Sequence, residues 1–482
     1  MTIREKTLTG MLWSFIESSA NYGTQFAFGI VLARILTPSD FGLMGMLAVF
    51  IGIAQTFVDS GFSNALIRKS DCTQTDYSTV FYYNLAASIV GCGILIGVSG
   101  PVSAFFSEPR LKLMLQVLAL GVIVNAFGVI QLTILTKAVN FKLQALVSLL
   151  ASAGSGIVGV LLALQGFGVW SLVGLSLSRS ALTSVLLWAV TRWRPLLTWS
   201  RQSFQELFGF GGKLLVSVLI ETTYKNLYFI VIGKYFSAAE LGYYTRADQF
   251  RAFPAENLAG IIGRVSYPVL SSIQHDKDQF KRAFQKLLRS TMLLTFMLML
   301  GLAAVAKPLV LTLIGEQWLP AVGYIQLLCF VGMFYPLHTL NLKLLQVQGR
   351  SDLFLRLELI KKVVAIPTIV IGVMFGVRAM IIGLIVYNVF AYYLNSYWSG
   401  RLLGYAFREQ VQDILPSFCI AALVSATVWI LGVWLVLPEM PLVALQCLLG
   451  GVLWFGVCEV LGFGDYLNMK YLVFETLSGR FR

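Results

Sequence analysis

The chain has 482 residues, of which 57% are hydrophobic and 12% are charged, and its mean hydropathy is +0.78. Soluble domains carry about 25% charged residues, so this composition excludes an ordinary soluble enzyme and a disordered scaffold. It predicts a polytopic membrane protein. The net charge is +13, but the basic residues do not cluster on a nucleic-acid-binding module. We therefore expect no nucleic-acid partner, and we attribute the excess to positively charged cytoplasmic loops.

Apolar stretches of about 20 residues predict transmembrane helices, because backbone amides in lipid must be hydrogen-bonded within their own segment. We count fourteen such stretches, called spans 1–14, which begin near Met11, Phe41, Thr79, Leu111, Leu143, Phe167, Gly212, Leu241, Leu288, Ala321, Leu359, Arg378, Leu415 and Leu442. The loops between them are too short to hold a folded domain. The expected fold class is an all-α polytopic membrane protein.

The distribution of Lys and Arg predicts the orientation of the spans. With the N-terminus in the cytoplasm, 26 of the 36 basic residues fall in cytoplasmic segments and six on the opposite face. The positive-inside rule therefore places both termini in the cytoplasm. The other four basic residues lie inside predicted spans and are candidates for function: Arg179, Lys225, Arg246 and Arg251.

An internal repeat relates the two halves of the chain. Residues 34–42 and 234–242 share the pattern basic, two hydrophobic, hydroxyl, two small, acidic, hydrophobic, Gly, at an offset of 200. A weaker match joins Gly168 to Gly376. Spans 1–6 therefore correspond to spans 7–12 in a parallel repeat about a pseudo-two-fold axis along the membrane normal, which is a transporter architecture. We expect a six-helix lobe at 1–195, a cytoplasmic linker at 196–212, a second six-helix lobe at 213–400, and two accessory helices with a cytoplasmic tail at 401–482.

The first two spans carry a family resemblance. Residues 10–17, 23–26, 32–42 and 59–67 resemble the N-terminal signature of the polysaccharide transporter family. These O-antigen and exopolysaccharide flippases belong to the multidrug/oligosaccharidyl-lipid/polysaccharide exporter superfamily. The rest of the chain matches mainly in helix count, repeat and orientation. Within the family the chain most resembles the colanic-acid-exporter type, which also has a long linker with Trp and Arg, here residues 191–211.

The resemblance implies a substrate and a location. Members move an oligosaccharide unit linked to undecaprenyl pyrophosphate from the inner to the outer leaflet of the bacterial cytoplasmic (inner) membrane. They do so for O-antigen, capsule or exopolysaccharide synthesis, and they are transporters, not enzymes. The resemblance also implies a V-shaped pair of lobes around a cationic cavity. The implied partners are the lipid-linked oligosaccharide, membrane lipids and a polysaccharide polymerase or assembly protein.

Polar residues inside spans 1, 6 and 7 are candidates for the cavity, since an ionisable group at mid-membrane costs about 2.5–3.5 kcal/mol on insertion scales. Glu17, Asn21 and Gln25 are spaced by four residues and share one helix face. They either line a cavity, with Glu17 as a proton site, or form hydrogen bonds between helices. Arg179 in span 6 either contacts substrate or braces a neighbouring helix.

Span 7 carries Glu221 and Lys225 at a spacing of four residues. Such a pair can neutralise itself on the surface of one helix. The alternative is that Lys225 binds a ligand directly. The sequence leaves both interpretations open.

Span 8 is the most polar of the predicted spans. We expect Arg246 and Arg251 to contact the pyrophosphate, because a planar guanidinium can bind it through two parallel hydrogen bonds. Asp248 and Glu256 either hold these side chains in place or cancel their charge, and Pro254 is expected to kink the helix. The alternative is a structural charge network between the lobes.

Other chemistries find little support in the sequence. It has no nucleotide-binding loop, metal-ligand cluster or nucleophile–base pair, so we expect no cofactor. We expect the energy for transport to come from an ion gradient or the membrane potential. A drug or cation antiporter of the same superfamily would need a mainly acidic cavity. A membrane polysaccharide polymerase or ligase would need a long periplasmic loop. His338 and Asn341 are expected to form a local polar pair in span 10.

Overall fold

A computed structural model describes residues 21–348, 350–435, 437–467 and 470, and this part of the chain is helical. Residues 21–35 form α1. The later helices are α2 (Pro38–Asp59), α3 (Phe62–Arg68), α4 (Gln74–Phe106), α5 (Arg110–Lys137), α6 (Phe141–Leu164), α7 (Trp170–Val190), α8 (Arg201–Tyr235), α9 (Ala238–Ser272), α10 (Lys277–Leu313), α11 (Leu319–Val347), α12 (Ser351–Phe375), α13 (Val377–Leu403), α14 (Phe407–Trp434) and α15 (Glu439–Val460). A 3₁₀ turn, Glu316–Trp318, precedes α11.

Eleven helical segments of the described residues are long and apolar enough to cross a membrane. The long helices α9 and α12 are not among them, because charged residues interrupt their apolar surface, in α12 at Glu358, Lys361 and Lys362. The starts predicted for spans 2–14 all lie within a helix or just before one. The chain is thus an all-helical, multi-pass membrane protein, and the count of fourteen transmembrane helices stays a prediction.

The repeated motif lies at the start of a helix in both places, and its hydroxyl and acidic residues are hydrogen-bonded to each other. Thr37 precedes α2, and its backbone N–H and hydroxyl donate to the Asp40 carboxylate at 3.0 and 2.8 Å. At the start of α9, the Glu240 backbone N–H donates to the Ser237 hydroxyl at 3.1 Å. A hydroxyl residue followed three positions later by an acid is a helix-start signature. The shared pattern therefore reflects helix capping at equivalent points.

The contacts of the chain divide it into two compact units, residues 1–245 and 246–482. In unit 1, α6 packs closely on α1 and α7 through glycines. A Cβ at Gly156 would lie 2.3 Å from the Phe28 ring, and one at Gly154 would lie 2.8 Å from Leu182. The glycines of α6 therefore permit close helix packing.

Unit 2 packs α10 against α11, α14 and α15, and α13 against α11 and α12. Trp318 and Trp454 are almost fully buried within it. The second half of the predicted linker, from Arg201 onward, belongs to unit 1 and is helical, continuous with α8. The predicted lobe boundaries stay predictions.

Segments that are predicted to lie on the cytoplasmic side contact one another within each unit. In unit 1 the Lys69 ammonium lies 3.0 Å from Glu206, and the Lys137 ammonium donates to the Leu66 carbonyl at 3.0 Å. In unit 2 the Lys281 ammonium lies 3.4 Å from Glu409. These basic residues are all predicted to be cytoplasmic.

Candidate functional site

Two carboxylates hold Arg251 on α9. Its Nε donates to Asp248 Oδ1 at 2.8 Å, and its Nη2 lies 2.7 Å from the same oxygen. Glu256 Oε1 lies 3.8 Å from Nη2. Both predicted acidic partners therefore contact Arg251, whose side chain is only 12% exposed. Asp248 Oδ1 contacts both Nε and Nη2 of Arg251. These two contacts hold the planar guanidinium in one orientation.

The stem of Arg251 packs directly on α11. A Cβ at Gly332 would lie 2.9 Å from Arg251 Cγ, so the arginine occupies space that only a glycine leaves open. This contact places the charged end of Arg251 beside α11 within unit 2. No spacing rule in the sequence connects these two residues, so sequence analysis missed the contact.

Arg246 has different neighbours from those of Arg251. It is 7% exposed, its Nη1 donates to the Gln249 side-chain oxygen, and its guanidinium lies 6.0 Å from the centre of the Trp318 ring. That distance is at the outer limit of a cation–π contact. Arg246 and Arg251 are five residues apart, so on an ideal helix they are separated by about 7.5 Å along the axis and about 140° around it.

A second polar cluster joins three helices of unit 1 at one side-chain oxygen. Asn21 Oδ1 accepts hydrogen bonds from Gln25 Nε2 at 3.0 Å, Ser152 Oγ at 2.6 Å and Arg179 Nη2 at 3.3 Å. The structure thus brings together three predicted site residues from α1 and α7, and adds Ser152 from α6. The fourth predicted residue, Glu17, lies outside the described residues. Bonds between helices are present, as one of the two interpretations of this stripe expects.

Glu221 and Lys225 form an ion pair on α8, with 3.0 Å between Glu221 Oε1 and Lys225 Nζ. Their side chains are 60% and 68% exposed. The geometry is that of a pair that neutralises itself on one helix. A ligand-binding role for Lys225 stays a prediction.

The expected pairing of His338 with Asn341 is wrong. His338 Nε2 lies 3.0 Å from Asn388 Oδ1, and His338 Nδ1 lies 3.0 Å from Asn395 Nδ2, both on α13. Asn341 instead accepts from the Ser399 hydroxyl at 2.5 Å. Packing of α11 on α13 decides these partners. Asn388 and Asn395 are seven residues apart and therefore lie on one face of α13. This spacing is the sequence signal that could have identified them as partners of a residue on a neighbouring helix.

The fold defines the class of this protein: a helical membrane protein built like flippases and multidrug transporters. The structure aligns with lipid II flippase MurJ in an inward closed conformation at a TM-score of 0.77 and 13% identity, covering 95% of this chain and 99% of MurJ. It aligns with an inward-facing multidrug resistance MATE family transporter of the MOP superfamily at a TM-score of 0.62 and 15% identity, covering 80% and 94%.

The chain belongs to the polysaccharide biosynthesis protein family, whose model matches residues 31–323. Among curated proteins it is 27% identical over 438 residues to lipopolysaccharide biosynthesis protein WzxC of Escherichia coli (strain K12). That alignment covers 90% of this chain and 89% of WzxC. The resemblance found in the first two spans is thereby confirmed over most of the chain.

Proposed function

We propose that this protein is a flippase that exports undecaprenyl-pyrophosphate-linked oligosaccharides across the bacterial inner membrane by alternating access, for O-antigen, capsule or exopolysaccharide synthesis. The observation that carries the proposal is the similarity to WzxC over 90% of the chain. In this proposal the protein is a transporter and not an enzyme, and both of its termini are cytoplasmic. The uneven distribution of Lys and Arg supports that orientation.

The proposed architecture has fourteen transmembrane helices. Two six-helix lobes are related by a pseudo-two-fold axis along the membrane normal, and the last two helices are accessory. The repeated motif supports this architecture, since Thr37 with Asp40 and Ser237 with Glu240 form hydrogen-bonded pairs at the start of two helices, at an offset of 200 residues. Parallel repeats of this kind support alternating access in transporters.

The proposed contacts for the pyrophosphate are Arg246 and Arg251. Asp248 and Glu256 serve as positioning residues, because both contact the guanidinium of Arg251. The separation of the two arginines around α9 favours successive contacts with the moving pyrophosphate over one shared clamp. Removal of either arginine should therefore block a step of export.

The polar cluster in unit 1 is suited to sugars. An amide such as that of Asn21 both donates and accepts hydrogen bonds, and sugar hydroxyls do the same. We therefore assign Asn21, Gln25 and Arg179 to the oligosaccharide, with the Glu221–Lys225 pair of α8 as a further candidate contact. Export draws on an ion gradient or the membrane potential in this proposal, and a polymerase or assembly protein receives the product.

The decisive experiment is deletion of the gene followed by analysis of lipid-linked sugars. We expect oligosaccharide linked to undecaprenyl pyrophosphate to accumulate on the cytoplasmic side, and the wild-type gene to restore export. A strain that exports normally and accumulates no such lipid would contradict the proposal. Increased sensitivity to cationic drugs in that strain would favour the antiporter instead.

A further inference from the structure

The chain contains only two histidines, and one of them lies between two asparagines in unit 2. His338 on α11 has Asn388 Oδ1 3.0 Å from its Nε2 and Asn395 Nδ2 3.0 Å from its Nδ1. Phe334, one turn earlier, stacks on the imidazole with 6.3 Å between ring centres. Both ring nitrogens therefore have a polar neighbour in an otherwise packed helix interface.

The orientation of Asn388 determines which nitrogen of His338 carries the proton. Asn388 Nδ2 donates to the Leu384 carbonyl at 2.8 Å, which fixes the amide with its Oδ1 facing the imidazole. His338 Nε2 must therefore be the donor, since Oδ1 can only accept. Nδ1 is then the acceptor and receives the hydrogen bond from Asn395. This arrangement is a neutral imidazole in the Nε2–H tautomer.

Asn395 is also suited to the protonated form. Within the part of the chain that the structure describes, its Oδ1 is buried and accepts no hydrogen bond. A half-turn of the amide would exchange Nδ2 and Oδ1 and place that acceptor opposite Nδ1. A second proton at Nδ1 would then be bound, and the imidazolium would donate to both asparagines. The same two side chains therefore fit both protonation states.

An ion pair with a buried lysine lies on α12, which packs on α11 and α13. Lys361 is 7% exposed and forms a salt bridge with Glu358. Charged and titratable groups on α11 and the helices around it include Lys343, Lys361, Glu358, Tyr392, Arg251 and, on α10 and α14, Arg289 and Asp413. The Lys361 cation opposes a second proton on His338, whereas Glu358 offsets that cation.

Polar side chains continue from His338 towards one end of unit 2. Asn341, one turn further along α11, contacts Gln410 at 3.4 Å, and Gln410 Oε1 accepts from the Tyr392 hydroxyl at 3.1 Å. Beyond them the Tyr405 hydroxyl donates to Asp413 Oδ2 at 2.7 Å. Asp413 lines a cavity of about 450 Å³. These contacts, with the hydrogen bond from Gln410 to the Tyr405 backbone carbonyl, connect Asn341 with Asp413 at this cavity.

We propose that His338 is a proton-binding site, which exchanges a proton at Nδ1 as Asn395 rotates. In this scheme the hydrogen bonds described above are those of the deprotonated state. The coupling of this site to export rests on the proposed function, whereas proton binding itself does not. In that case the coupling ion is a proton, and it binds in unit 2.

Proton binding can be measured directly, because the H275Q variant leaves His338 as the sole histidine. Nitrogen-15 NMR of histidine-labelled protein in detergent should show the Nε2–H tautomer at about pH 8 and the imidazolium on acidification. K361M removes a buried cation from the neighbouring helix α12, and it should move the midpoint more than K362M, a change of the next lysine along α12. An Nδ1–H tautomer, or an imidazole that binds no second proton on acidification, would overturn the proposal.

The link to export is tested by the pH profile in cells or vesicles. H338Q and N395D should both lose the pH dependence of export, the first because no proton binds and the second because a carboxylate keeps the imidazolium charged. A wild-type profile in both variants would overturn the link. Should NMR show the titration while the deletion strain accumulates no lipid-linked sugar, the proton site would stand and the flippase proposal would fail.

Discussion

Gly42 and Gly242 occupy reciprocal positions where α2 meets α9. A Cβ at Gly42 would lie 1.7 Å from the carbonyl oxygen of Ala238, and a Cβ at Gly242 would lie 1.8 Å from that of Pro38. Each glycine therefore lies against the first turn of the other helix. They occupy equivalent positions of the repeat, so the repeated motif encodes both a helix cap and a close contact between the two capped ends.

Substitution of either glycine should destabilise this contact. The obstructing atoms in Gly42→Ala and Gly242→Ala are backbone oxygens, so the helices must move apart. We expect a loss of about 1–3 kcal/mol, as for other overpacked sites, seen as a lower unfolding temperature in detergent. Gly97→Ala is the control, since no atom lies within 4 Å of its added Cβ. Equal unfolding temperatures for all three variants would show that the contact between α2 and α9 is not tightly packed.

The arginines of α9 should be needed for export. Arg246→Ala and Arg251→Ala are expected to lower export roughly tenfold or more, because each loses hydrogen bonds to a charged group, while the amount of protein in the membrane stays unchanged. Arg110→Ala, at a side chain that is 56% exposed, should export normally. The measurements are lipid-linked sugar in each leaflet and an immunoblot of membranes. Normal export in both α9 variants would refute the assignment.

Asp248→Asn separates positioning from binding. The change removes the carboxylate that holds Arg251 at 2.7 Å and leaves the guanidinium in place. We expect a smaller loss of export than in Arg251→Ala, and no further loss when the two changes are combined, because Asp248 acts through Arg251. Independent, additive losses would mean that Asp248 contacts the substrate itself.

Hydropathy and capping patterns predict where the helices lie, because both are local properties of the chain. The spacing of Asn21 and Gln25 likewise predicts a common face, and the structure joins them. The predicted pairing of His338 with Asn341 failed for a different reason. Two polar residues close on one helix can each find a better partner on the next helix, and α13 supplies those partners.

Contacts between helices also explain what sequence analysis missed in the candidate sites. Gly332 makes room for the stem of Arg251, and Ser152 donates to the oxygen that Arg179 also contacts. Neither residue differs in type or spacing from many other glycines and serines in the chain. Which acid holds which arginine on α9 depends on side-chain rotamers, so the composition of span 8 could only predict a charged cluster.

Asn21→Leu should weaken the packing of α1 on α6 and α7. The change removes the acceptor shared by Gln25, Ser152 and Arg179. Hydrogen bonds between membrane helices average about 0.6 kcal/mol each, so we expect a loss of about 1–2 kcal/mol in detergent. Asn21→Asp keeps an acceptor and should retain stability. If Asn21→Asp is stable but exports poorly, the oligosaccharide contacts the amide; a stable Asn21→Leu variant would argue against the shared acceptor.

Asp465, which follows α15 and lies outside the membrane-spanning segments, should make stability depend on pH. Burial raises the pKa of its carboxyl above the ordinary value, and the negative charge of Asp413 raises it further, against the effect of Arg289 and Lys286. The folded protein therefore binds this proton more tightly than the unfolded chain does. The resulting stability is fully present below the ordinary carboxyl pKa and is lost as the pH rises through the folded pKa.

Asp465→Asn tests this sign. The amide cannot ionise, so the variant should unfold at a higher temperature than the wild type at about pH 8 and at the same temperature at about pH 3, below the ordinary carboxyl pKa. Thermal unfolding in detergent measures the difference, with the exposed Asp71→Asn as the control. Asp465 shares its cavity with Arg289 and Asp413. An equal gain at both pH values would mean that the amide improves packing in this cavity, and that proton binding is not the cause.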